Sequence, residues 1–70
     1  VHVKDIAPAG ECADEDGWAD VGHGTLDWIR LFSEIAQKTP ANLMVMEHDN
    51  PADAKRFASR SIEWARGATE

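Results

Sequence analysis

Seventy residues, 43% hydrophobic and 29% charged, have ordinary globular composition but allow only one small, sparsely cored domain, because so short a chain buries only about 60% of the surface it exposes unfolded. Seven Lys and Arg against thirteen Asp and Glu give a formal charge of −6, which repels phosphate backbones and argues against a nucleic-acid partner. The single Cys12 excludes an internal disulfide, no Cys/His cluster has zinc-finger spacing, and no apolar run approaches the ~20 residues of a membrane helix. With no visible signal peptide, the expectation is a cytoplasmic protein with no membrane partner. The opening Val1-His2-Val3, without Met, reads as a piece of something longer.

Residues Val1 to Ile6 alternate with period two and predict a strand, ended by Pro8, Ala9 and Gly10. A long acidic, glycine-containing loop follows, of a length usually functional or mobile inside a compact domain. Five acids and no base lie between Glu11 and Asp20, so most of the net charge belongs to this loop. A solvated loop is one reading, and a surface for a cation or partner is the other. Thr25 is the expected N-cap of a helix running to about Lys38, with Leu26, Ile29, Leu31, Phe32 and Ile35/Ala36 on its apolar side and Pro40 as its stop. Asn42 to Met46 reads as a buried strand. Asn50 then caps a second helix, Pro51 takes its first position, and Gly67 ends it. Its apolar face is expected to hold Ala54, Phe57, Ala58, Ser61, Trp64 and Ala65.

Strand–helix–strand–helix order implies an α/β fold with two parallel strands and a crossover helix. Two parallel strands leave both edges open and one face bare, so either more of the same protein or further copies of the chain should complete the sheet. Functional groups in such sheets gather at the carboxyl ends of the strands. Here the strand ends carry His2, Lys4 and Asp5, then Glu47, His48 and Asp49. If Glu47 points to the same side as His2, Val45 and Leu43 follow it inward and Met44 and Met46 meet the helices. An imidazole and a carboxylate so placed can share a divalent metal ion; a His–Glu hydrogen bond or solvated ends are the alternatives. The Gly22-His23-Gly24 turn is a weak candidate anion site. Cys12 has no neighbouring base in sequence to activate it. Trp28, Phe32, Phe57 and Trp64 read as core, whereas Trp18, in a polar loop, is a candidate cover for a pocket or partner surface.

Three pieces in order carry a family resemblance. His2-Val3-Lys4-Asp5, the run Asp16-Gly17-Trp18-Ala19-Asp20-Val21-Gly22-His23-Gly24 leading to Leu26-Asp27-Trp28, and Val45-Met46-Glu47-His48-Asp49 resemble the sugar phosphate isomerase/epimerase family. These are xylose isomerase-like TIM (β/α)8 barrels, and the match corresponds to the last quarter of the barrel. The resemblance implies that His2 and Glu47 are ligands of a divalent metal ion (Mn, Mg, Co or Zn). It also implies that Glu47 is a catalytic acid/base for proton transfer alpha to a carbonyl, and that Lys4, Asp5 and His23 line the substrate mouth. Endonuclease IV-like members carry an Asp-x-His pair; Trp18 stands where that His would be, which disfavours a trinuclear zinc site. The expectation is therefore the C-terminal fragment of a metal-dependent isomerase or epimerase of sugars, inactive alone and binding metal weakly. A self-associating structural module and a fragment of a related dehydratase are the alternatives.

Overall fold

The computed structural model describes residues 1–40 and 43–69. The first extended segment divides at Lys4 into β1 (His2–Val3) and β2 (Asp5–Ile6), which join different sheets. β1 pairs in parallel with β4 (Val45–Met46), with His2 opposite Val45 and Val3 opposite Met46. β2 pairs antiparallel with β3 (Trp18–Ala19), with Ile6 opposite Trp18 and Asp5 opposite Ala19. The expected single strand is thus two short ones, and the loop expected to lack structure contains β3 and a 3-10 turn at Ala13–Glu15. Left-handed backbone at Cys12 and Asp16 (φ 54° and 55°) turns the chain tightly on either side of that 3-10 turn. Periodicity missed both features because neither is long enough to show a repeat.

Helix α1 spans Trp28–Lys38 and helix α2 spans Ala54–Thr69. The order β–α–β–α, with two parallel strands in one sheet, is as expected. Both helix starts fall later than expected. Asp27, not Thr25, caps α1 by accepting a hydrogen bond from the Arg30 N–H at 3.2 Å. Asp53, not Asn50, does the same for α2, accepting from the Arg56 N–H at 3.0 Å. Thr25 instead donates its hydroxyl to the Ile6 carbonyl, and the Asn50 side chain donates to Asp16 and the Asp14 carbonyl. In both cases two plausible caps lie close together, and tertiary partners decide between them. Gly67 does not end α2, which continues to Thr69.

Helices cover one face of the β1/β4 pair. Val3, Val21, Trp28, Phe32 and Ala65 form the buried core, with Leu31, Ile35, Met44, Met46, Phe57 and Trp64 packed on it. The Trp28 and Phe32 rings lie 5.4 Å apart within α1 and Phe32 and Trp64 6.0 Å apart, both tilted, the second contact joining α1 to α2. Met44 and Met46 meet the helices as expected. The second strand, however, is not buried: Leu43 is 67% and Val45 43% exposed, because no described residue covers the other face. Asn42, its expected start, lies outside the described residues. On α1 the expected apolar side is also shifted, since Ile29 and Leu26 are exposed while Trp28 is buried. On α2, Ala54 and Ala58 are exposed, and Ser61 and Ala65 lie deepest.

Candidate functional site

The parallel ladder continues past the strands: the Val45 N–H donates to the Val1 carbonyl and the Glu47 N–H to the Val3 carbonyl, both at 2.8 Å. That register brings the residues beyond the strands to one end of the sheet. There His2 Nδ1 meets Glu47 Oε2 across 45 residues of chain. The His2 side chain is 77% exposed and that of Glu47 29%. Beside them Lys4 Nζ pairs with Asp49 at 3.1 Å and stands 5.2 Å from the centre of the Trp18 ring. The Lys4 carbonyl accepts the Trp28 indole N–H at 2.9 Å, so α1 fixes the main chain beneath this cluster. His2, Lys4, Glu47 and Asp49 thus form two adjacent base–acid pairs on the open end of β1 and β4. Asp49 was missed as the partner of Lys4, although its place two residues after Glu47 puts it on the same side of an extended chain.

Asp5 and His23 stand elsewhere. The Asp5 side chain is fully buried and accepts four backbone N–H groups: from Ile6 (2.9 Å), Gly22 (2.9 Å), Gly24 (3.2 Å) and Leu26 (3.1 Å). A carboxylate of the chain itself therefore fills the concavity of the glycine turn, where an external anion would otherwise sit. Close approach explains both glycines. A Cβ on Gly24 would fall 2.3 Å from Asp5 Oδ1, and one on Gly22, at φ +87°, would fall 2.0 Å from the Trp64 ring. The exposed His23 ring meets Arg60 of α2 at 2.9 Å. The structure thus joins His2, Glu47 and Lys4, ties His23 to α2, and turns Asp5 inward to the backbone.

The acidic loop is also divided. Glu11, Asp14 and Asp16 are exposed, but Glu15 and Asp20 are buried against arginines one turn apart on α2. Arg56 reaches Glu15 at 2.5 Å and Asp20 at 3.1 Å, and Arg60 reaches Asp20 at 3.0 Å. The hydrogen bond from Arg56 holds the Glu15 carboxyl below the usual carboxylate range; the Ala52 N–H adds to the effect and burial opposes it. The Arg56 guanidinium is correspondingly pushed up by Glu15 and Asp20. The His48 side chain, fully enclosed, accepts the Asn50 N–H on Nδ1 and lies edge-on to Phe57, with Nε2 3.4 Å from Glu15. The i, i+4 spacing of Arg56 and Arg60 was the available signal for this network.

Among the described residues, no group of three or more His, Cys, Asp or Glu converges as a metal site. No helix among them is long and apolar enough to cross a membrane. No protein-family profile matches the chain, and no solved structure matches it significantly. A stretch of 44 residues, 63% of the chain, is 46% identical to the thiamine import ATP-binding protein ThiQ of Cereibacter sphaeroides. The matched stretch covers only 19% of that relative. This finding overturns the assignment to sugar phosphate isomerases and epimerases; the dehydratase and structural-module alternatives gain no support either. The resemblance rested on short polar motifs, and the fold gives several of those residues structural work: Asp5, Gly22 and Gly24 build one turn. Gly17 and Gly22 do stand at the spacing of a G-x-x-x-x-G-K-[ST] phosphate loop, but His23 and Gly24 replace its Lys and Ser/Thr. This chain is therefore similar, over part of its length, to a segment of an ATP-binding import protein.

Proposed function

We propose that the chain contributes two ligands, His2 and Glu47, to a divalent-cation site whose other ligands come from protein outside these residues. The observation that carries this reading is the meeting of His2 and Glu47 at an open sheet end. One nitrogen and one carboxylate donor suit Mn, Co or Zn better than Mg, which prefers an all-oxygen shell. A bound ion would polarise an oxygen of a small molecule seated beside it. Lys4, braced by Asp49, would offer its ammonium to the same molecule. Two ligands alone bind weakly, because the remaining coordination positions are not preorganised.

Mn2+ titration followed by NMR of the imidazole signals tests this directly, with His23 and His48 as internal references. The expected result is selective broadening of the His2 lines, lost in Glu47→Ala and weakened in Glu47→Gln. Broadening of His2 that ignores Glu47, or equal broadening of all three histidines, would sink the proposal.

A second reading comes from the matched relative, which its name describes as ATP-binding: the chain would be a segment of a nucleotide-binding protein. Asp5 already occupies the glycine turn, so phosphate contacts would have to lie elsewhere. Saturable amide shifts on adding MgATP, absent with Mg2+ alone and lying outside residues 22–24, would favour this reading over the cation site.

A further inference from the structure

The face of the β2/β3 pair turned away from Asp5 and Ala19 carries Ile6 and Trp18, directly opposite each other across the two strands. Ile6 is 47% exposed, unusual for an isoleucine in a strand. Beside this pair lies an open hollow of about 320 Å³, with Ile6, Pro8 and Trp18 on its apolar side and Glu11 and Asp16 among its lining residues. The volume suits a small organic molecule.

Its hydrogen-bonding inventory selects the charge of that molecule. Pro8 has no N–H. The N–H groups of Ala7, Glu11, Asp16 and Gly17 already donate to main-chain carbonyls, and that of Ile6 donates to Asp5. What the hollow's lining side chains bring is two carboxylates and an indole ring, with no lysine or arginine among them. An anion would find two carboxylates there and no basic side chain among the lining residues to offset them. A cation would find two opposite charges and an aromatic face. The same ring already attracts an ammonium, that of Lys4, which does not line the hollow.

We infer that this hollow is a binding site for a small organic ammonium ion: a positively charged head directed to Trp18, Glu11 and Asp16, and an apolar body against Ile6 and Pro8. The site is separate from the His2–Glu47 pair and does not depend on a metal there.

The probe is choline, with 3,3-dimethylbutan-1-ol as its uncharged carbon isostere and sodium chloride matching the ionic strength. The readout is the Trp18 indole N–H in nitrogen-edited NMR, identified by its loss in Trp18→Phe. Choline is expected to give a saturable shift at millimolar concentration, and the neutral isostere none. Glu11→Gln, at an exposed turn, and Asp16→Asn, which keeps an oxygen for Asn50 and tolerates the left-handed backbone, should each weaken binding about threefold. Trp18→Leu should abolish it, as read from the Ile6 and Gly17 amides. An equal response to both probes would overturn the inference, since the hollow would then read shape and not charge. No saturable shift up to about 100 mM choline would do the same.

Discussion

Truncating Asp5 strands four backbone N–H groups that have no other acceptor in the turn. Each buried unsatisfied donor costs about 1–3 kcal/mol, and a small domain has only about 5 kcal/mol or so to lose. Asp5→Ala should therefore abolish cooperative thermal unfolding followed by circular dichroism. Asp5→Asn, which keeps one acceptor oxygen but points an NH2 at donors, should leave a weakened transition. Glu15 supports a prediction in pH. Its folded-state pKa lies below its unfolded value, so its contribution is fully present above about pH 4.3 and is lost as pH falls through the lowered value. Urea midpoints from pH 7 down to pH 3 should show wild type well above Glu15→Gln at neutrality, with the gap closing on acidification. A constant gap would place the effect in packing and not in charge. Sequence made Asp5, Glu15 and Asp20 visible as acids but could not show what they face. A carboxylate turned to a ligand and one turned to the chain's own amides are the same letter.

At the scale of the elements, the caps mark where sequence and fold part by two or three residues. Asp27 and Asp53 accept from the N–H three residues on, and Ala at either position should lower stability by about 1 kcal/mol in urea unfolding. Thr25→Val removes a hydroxyl bond to Ile6 outside the helix, so it should loosen the turn without lowering helical circular dichroism. Helix existence, order and stop at Lys38 were legible because eleven and sixteen residues carry several periods of the pattern. The two-residue strands carry one period at most, so β3 was invisible and β1 and β2 merged into one. The meeting of His2 and Glu47 was legible for a different reason: parallel pairing and alternation together fix which side a strand-end residue takes.

Across the whole molecule the asymmetry of the β1/β4 sheet is the dominant fact. Its helix-facing side buries Val3 against the core, while the opposite side leaves Leu43 and Val45 open beside the polar strand end. Two parallel strands are below the size at which a sheet persists unaided, and unpaired edges invite pairing. The chain should therefore gather a partner sheet when none is supplied. Light scattering over a range of concentrations should show a mass rising above 7.7 kDa. Replacing Leu43 and Val45 with Lys tests the cause. Both are exposed in the single chain, so the double variant should keep its monomer stability to within about 0.5 kcal/mol, yet remain a monomer at every concentration. If wild type also stays at 7.7 kDa, the helices alone suffice to hold β1 against β4. Under the proposed cation site, its other ligands would then be sought outside these residues and not on a second copy.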